Sequence, residues 1–195
     1  GIGAINEGGI NTIVGLLKQT KNAVNCAVNS LKNLLGGDIS EEDMMEDAVD
    51  MILVDVLTGA LNQESLKEMS ESESGQLQTS MFALQKIART NHGMDITGLE
   101  NLNMEDLGSL LNENGPVIAH VNGDHYVVVQ SIKEGMVSYL DNGKKVTKTL
   151  DEFNEMFGGK VMAVGSEKEI TEKIENIGSK TLNSENIIES KDERN

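Results

Sequence analysis

The sequence predicts an α+β fold, with an N-terminal helical half followed by an antiparallel β-sheet half. Before Pro116, four segments repeat apolar residues at helical spacing or carry helix-start signals. After Pro116 the apolar runs become short and rich in Val, Ile and Tyr, which is the composition of strands. Helices that precede the strands, rather than alternating with them, are typical of α+β proteins.

The four predicted helices have recognisable ends. The first, "CAVNSLKNLLGG", follows Asn25, a good N-cap residue. The second begins at Ser40, with acidic residues in its first turn where the helix dipole favours them. The third, "TSMFALQKIARTNHG", ends at Gly93, and the fourth begins at Asn103.

The second half contains five strand candidates and one more helix. A short capped helix is predicted at "TLDEFNEMFGG", between the last two strands. The strand candidates are "PVIAHV", "HYVVVQSI", "GMVSYL", "KKVTKTL" and "KVMAVG". Their close succession favours an antiparallel sheet.

Composition divides the chain into three parts. Residues 1–12 are rich in glycine and are predicted to form a flexible leader. Residues 13–165 carry the apolar pattern and form one domain of ordinary size. Residues 166–195 are mostly charged and polar, and we expect an acidic, disordered tail with at most one exposed helix.

Charge and cysteine content restrict the class of protein. The net charge of −16 argues against nucleic acid or an anionic membrane as the main partner and favours a neutral or basic peptide. No apolar run approaches the roughly 18 residues of a membrane span, so no direct membrane insertion is expected. The single cysteine excludes an internal disulfide and fits a reducing compartment.

Cys26 is the first candidate for chemistry, because it lies just after the predicted N-cap of a helix. Unpaired N–H groups and the helix dipole stabilise a thiolate at that position. The alternative is that Cys26 is a small core residue, which is the commoner role of a lone cysteine.

His125 and Asp141 are the next candidates, at the two free ends of a predicted hairpin. A turn between Ser131 and Gly135 pairs Val129 with Val137 and His125 with Asp141, so both side chains face the same way. The carboxylate then accepts a hydrogen bond from one ring nitrogen and orients the other toward a thiol.

The two other histidines, His92 and His120, have no such partner in the sequence pattern. "HVNGDH" has too few ligand-type residues for a metal site. No metal and no cofactor is therefore predicted.

Cysteine, histidine and aspartate follow one another along the chain in the order of papain-like enzymes. The sequence resembles the papain-like double-glycine cysteine peptidases, which trim leader peptides from bacteriocin precursors. The resemblance covers roughly residues 13–165 and rests on Gln19, Asn25, Cys26 and Ala27, and on "NENGPVIAHV", "HYVVV", "SYLDN" and "TLDEFNEMFGG". One departure is the spacing: Gln19 stands seven residues before Cys26, and Thr20 occupies the position that the family pattern gives to glutamine.

The resemblance implies a papain-like fold and a cysteine endopeptidase that cleaves after small, Gly-Gly-like residues. Cys26 would be the nucleophile, His125 the general base and Asp141 the residue that orients the imidazole. Gln19 would help to bind the oxyanion. The implied partners are a peptide or protein substrate and a membrane transporter or larger parent polypeptide. The predicted location is the cytoplasm, and the alternative is a fragment of a larger or exported protein. The alternative is a catalytically weak relative that binds leader-like peptides.

Overall fold

The computed structural model describes residues 26–61, 64 and 79–182, and the five helices that the sequence predicts are present. Ser40 and Asn103 cap their helices by accepting hydrogen bonds from the N–H groups of residues 43 and 106, and Gly93 ends its helix in the left-handed conformation. Among the residues that the structure describes, no helix has both the length and the apolar character needed to cross a membrane. The helices are α1 (Cys26–Leu34), α2 (Glu41–Leu57), α3 (Met81–His92), α4 (Met104–Asn114), α5 (Leu150–Met156) and α6 (Glu167–Lys173).

One antiparallel sheet of seven strands forms the centre of the described region, in the order β5-β4-β3-β2-β6-β1-β7. The predicted fold class, helices followed by an antiparallel sheet, is confirmed. The strands are β1 (Ile96–Leu99), β2 (Val117–Val121), β3 (His125–Lys133), β4 (Met136–Asp141), β5 (Lys144–Thr149), β6 (Phe157–Val164) and β7 (Thr181–Leu182).

Apolar side chains cover both faces of the sheet. On one face, α1, α2 and α3 pack against alternate residues of the central strands, among them Ile118, Tyr126 and Val128. On the other face, α4, α5 and α6 pack against residues such as Val127 and Val129. Because successive side chains of a strand point to opposite faces, the side chains of the central strand β3 contact both helical layers. His125 is the first residue of this strand.

The prediction of a disordered tail is wrong for residues 166–182. Ser166 caps α6, and β7 pairs with β1 at Leu99 and Gly98. Ile170, Ile174, Ile177 and Leu182 are at most 8% exposed. These apolar side chains are few among many charges, but folding offers them surfaces that the sequence does not display: the α4 face of the sheet for the three isoleucines and the opposite face for Leu182. Residues 1–25 and 183–195, which include the predicted leader, Asn25 and the end of the predicted tail, lie outside the described residues.

Candidate active site

Cys26 is the first residue of α1, and its side chain faces the sheet. The residue is 3% exposed. The main-chain N–H of Tyr126, in β3, donates a hydrogen bond to the Cys26 sulfur over 3.5 Å. The thiol therefore lies at a helix N-terminus and against the strand that begins with His125, as the sequence pattern suggests.

His125 and Asp141 are joined by a hydrogen bond of 2.7 Å between Nε2 and Oδ1. His125 begins β3 and Asp141 ends β4, so the two residues lie at the same end of the hairpin. The side chains are 27% and 39% exposed, which places the pair at the rim of the domain rather than in its core.

The predicted register of this hairpin is wrong, although the predicted contact is present. Val129 pairs with Tyr139 rather than Val137, and the turn is tighter, because Lys133 pairs directly with Met136. The change at Val129 is two residues, and an even shift keeps every side chain on its face. Asp141 is consequently a diagonal neighbour of His125, still within reach of the ring.

The imidazole of His125 also contacts the thiol. The pKa of His125 is raised from 6.5 to about 9, chiefly by the hydrogen bond to the Cys26 side chain, against the opposing effect of burial. The hydrogen bond to Asp141 and the negative charges of Cys26 and Asp141 raise this pKa further. Because Nε2 faces Asp141, Nδ1 is the ring nitrogen left for Cys26.

The structure thus brings together three of the four predicted site residues, from α1, β3 and β4. Gln19 and Thr20 lie outside the described residues. Among the residues that are described, no cluster of histidine, cysteine and acidic side chains is suited to hold a metal ion.

His92 has a partner, contrary to the interpretation of the sequence. Its Nε2 lies 2.7 Å from Oδ2 of Asp47, and Asn91 donates to the same carboxylate over 2.9 Å. His92 ends α3 and Asp47 lies in α2, forty-five residues away, so sequence spacing alone carries no signal for this pair. His120 is buried, and its ring centroid lies 5.0 Å from that of Tyr126.

Sequence reasoning also missed Tyr126. This residue is fully buried, and its hydroxyl donates to the Thr79 carbonyl oxygen over 3.2 Å while its N–H contacts Cys26. The available signal was the tyrosine of "HYVVV", an aromatic residue with a polar end directly after the candidate histidine.

A thiol on a helix N-terminus, facing a histidine on an antiparallel sheet, is the arrangement of the papain-like class of proteins. The chain belongs to the Peptidase C39 family, whose model matches residues 38–169. This confirms the family that the sequence resembles. The matched range includes His125 and Asp141 and begins after Cys26.

The chain is also similar to solved structures. A double glycine motif protease from an AMS/PCAT transporter, solved with its leader peptide, is 20% identical, with 75% of this chain and 88% of that chain covered and a TM-score of 0.43. The peptidase domain of Streptococcus ComA, a bi-functional ABC transporter, is 14% identical, with 74% and 93% covered and a TM-score of 0.47. The N-terminal peptidase C39-like domain of a toxin secretion ATP-binding protein from Vibrio parahaemolyticus is 19% identical, with 73% and 97% covered and a TM-score of 0.42. No curated protein matches the chain.

Proposed function

We propose that this protein is a cysteine endopeptidase that hydrolyses peptide bonds after small, Gly-Gly-like residues, as in leader-peptide processing. The observation that carries the proposal is the placement of His125 between a thiol and a carboxylate. It hydrogen-bonds Asp141 over 2.7 Å and also hydrogen-bonds Cys26. Membership of the Peptidase C39 family supports the same reaction class. The preference for small residues comes from the family resemblance.

The first half of the reaction uses the ion pair between Cys26 and His125. A histidine whose pKa is about 9 is protonated at neutral pH, and its charge favours the thiolate beside it. The sulfur attacks the peptide carbonyl carbon and forms a C–S bond. The oxyanion that results binds the N–H groups at the start of α1, with Gln19 as a further candidate donor. When the oxyanion collapses, the C–N bond breaks and the amine leaves with the proton of His125.

The second half of the reaction restores the enzyme. The neutral imidazole of His125 takes a proton from water while the water oxygen attacks the thioester carbon. The C–S bond then breaks, the N-terminal product leaves as an acid, and Cys26 is again a thiolate beside a protonated His125. Asp141 holds the ring through Nε2 in both halves, so that Nδ1 keeps facing the sulfur. The reaction needs no cofactor.

The test uses peptides that contain one Gly-Gly pair, incubated with the reduced protein and analysed by mass spectrometry. We expect cleavage after the second glycine, and no cleavage by Cys26→Ala, which removes the single thiol. A matched peptide with Val-Val at that place should remain intact. Hydrolysis by Cys26→Ala at a rate within a few-fold of the unmodified protein would exclude Cys26 as the nucleophile.

A second candidate function is the binding of leader-like peptides without efficient cleavage. The observation that favours it is that the family match begins after Cys26, so the match itself says nothing about the nucleophile. Calorimetry with the same peptides separates the two functions. Binding by both the unmodified protein and Cys26→Ala, with no product from either, supports the second candidate and contradicts the first.

The proposed partners follow from the same reading of the site. The substrate is a peptide or protein, and a membrane transporter or a larger parent polypeptide would present it in the cytoplasm. A net charge of −16 supports a neutral or basic peptide over nucleic acid.

A further inference from the structure

The main-chain N–H of Tyr126 is directed at the sulfur that the proposed reaction uses. It donates to Sγ of Cys26 over 3.5 Å. A hydrogen bond to an ionised acceptor is stronger than one to a neutral acceptor, so this N–H favours the thiolate over the thiol. Tyr126 thus adds a donor that the triad of Cys26, His125 and Asp141 does not contain.

The main chain of Tyr126 is held by a neighbouring strand on one side only: it pairs with His120 of β2. The ladder between β3 and β4 ends at Val128 and Leu140, so the main chain of Tyr126 lies past its last pair. On the side where β4 is not paired, the side chain of Tyr126 supplies a second anchor. Its ring is fully buried, lies against His120, and ends in a hydroxyl that donates to the Thr79 carbonyl oxygen over 3.2 Å.

The acceptor of that hydroxyl is itself held in place. Thr79 precedes Ser80, the N-cap of α3. Both the N–H and the hydroxyl of Ser80 donate to the carboxylate of Asp55, which is fully buried in α2. A continuous set of buried contacts therefore runs from α2 through the start of α3 to Tyr126 and the Cys26 sulfur.

We propose that Tyr126 is a positioning residue for the nucleophile: its N–H holds the Cys26 sulfur, and its hydroxyl, bound to Thr79, acts together with the pairing to β2 to fix where that N–H points. The proposal rests on the proposed function, because it concerns the same thiol. The consequence is that removal of the Tyr126 hydroxyl, which lies 3.2 Å from the Thr79 carbonyl oxygen, changes the reactivity of the Cys26 sulfur, to which that hydroxyl is not bonded.

The first test measures alkylation of Cys26 by iodoacetamide as a function of pH in the unmodified protein and in Tyr126→Phe. Only the thiolate reacts, so the rate profile reports its population without requiring peptidase activity. We expect the variant to react about tenfold more slowly near pH 6, with its profile displaced to higher pH, because a hydrogen bond to a charged group is weakened. On a cleavable peptide, kcat should fall while KM changes little.

The matched control is Thr97→Val. Thr97 is also buried, and its hydroxyl donates to the Gly165 carbonyl oxygen over 2.8 Å, so the variant loses the same kind of bond. Thr97 lies in β1, which β2 and β6 separate from β3. The melting temperatures of both variants should fall by similar amounts, but Thr97→Val should keep the alkylation profile of the unmodified protein. An unchanged profile in folded Tyr126→Phe, or equal displacement in both variants, overturns the proposal.

A second measurement needs no change at Tyr126 and covers the case in which Tyr126→Phe does not fold. In an amide NMR spectrum, the Tyr126 N–H proton should shift strongly when Cys26 is replaced in Cys26→Ser, whereas the amide of Val129, on the same strand, should shift little. Equal responses of the two amides overturn the proposal. Absence of peptidase activity in the unmodified protein would instead contradict the proposed function. The alkylation profile and the NMR shift would still report on the contact between Tyr126 and Cys26.

Discussion

The domain contains two histidine–aspartate pairs with the same N–O distance of 2.7 Å but different surroundings. In the rim pair, His125–Asp141, the side chains are 27% and 39% exposed. In the interior pair, His92–Asp47, they are 18% and 3% exposed. The pairs also differ in their third member, which is the Cys26 thiol in the first and the Asn91 amide in the second.

The comparison teaches that the distance between an imidazole and a carboxylate does not identify a catalytic pair. Asp47 accepts from both His92 and Asn91, so its two oxygens serve to connect α2 with α3. Asp141 orients a ring that has a second nitrogen directed to a nucleophile. The third group, and the exposure of the pair, distinguish a structural pair from a candidate catalytic one.

The largest expected effect is a difference in activity between alanine variants of the two histidines. His125→Ala should lower kcat/KM for a Gly-Gly peptide by about a thousandfold or more, because nucleophile and proton donor act as a unit. The matched variant His92→Ala should leave kcat/KM nearly unchanged when assayed well below its melting temperature. Steady-state kinetics and circular dichroism on both variants check this. A similar loss of activity in folded His92→Ala would remove the distinction between the pairs.

Stability should show the opposite order: the aspartate of the interior pair should matter more than the aspartate of the rim pair. Asp47→Ala should lower the free energy of unfolding by about 3 kcal/mol, because it removes a buried carboxylate that hydrogen-bonds both His92 and Asn91. Asp141→Ala should lower it by less than about 1 kcal/mol, since an ion pair at the rim is screened by water. Urea denaturation of both variants measures the difference, and equal losses would mean that the two carboxylates have the same structural role.

Asp141→Asn tests how much the effect of Asp141 on His125 depends on the negative charge of the carboxylate. An amide oxygen still accepts from the ring, but as a neutral acceptor, so we expect kcat to fall by about tenfold with KM little changed. The loss of the negative charge should also lower the pKa of His125, which Asp141 helps to raise. The pH at which activity declines in alkaline solution should move downward in parallel. Unaltered kcat and an unaltered alkaline limb would show that Asp141 does not act on His125.

The smallest expected effect is on the pH dependence of stability. The pKa of His125 is raised from 6.5 to about 9 in the folded protein, so its contribution to stability is fully present below pH 6.5. That contribution is lost as the pH rises from 6.5 through about 9. Urea denaturation at several pH values should therefore show a steeper alkaline loss in the unmodified protein than in His125→Gln. Parallel curves would contradict the raised pKa.

The sequence was sufficient for features that depend on near neighbours. As predicted, Ser40 and Asn103 cap the starts of their helices and Gly93 ends its helix, because a cap needs only side-chain and backbone groups a few residues apart. The five strand candidates after Pro116 are all strands, since their composition and close spacing favour an antiparallel sheet. The shared face of His125 and Asp141 was also predictable, because it depends only on whether the register shift is even or odd.

Other features depended on surfaces that exist only after folding. The actual register of the hairpin, with its irregularity between Val129 and Ser131, was one of these. The docking of residues 167–182 was another, because their few apolar side chains stand among many charges: Ile170, Ile174 and Ile177 pack on the sheet face that carries α4, and Leu182 packs on the opposite face. Deleting residues 167–195 should therefore destabilise the domain.

What the sequence determined by itself was the class of the fold and the residues able to perform the chemistry, because helix caps, side-chain periodicity and residue type are local properties. The tertiary structure decided which histidine meets a thiol and which meets a carboxylate that the Asn91 amide also binds. It also decided that Tyr126 contacts Cys26, one hundred residues away in the chain. The physical reason is that such contacts are made by groups whose distance in space is set by packing two helical layers on one sheet, and sequence spacing does not encode that distance.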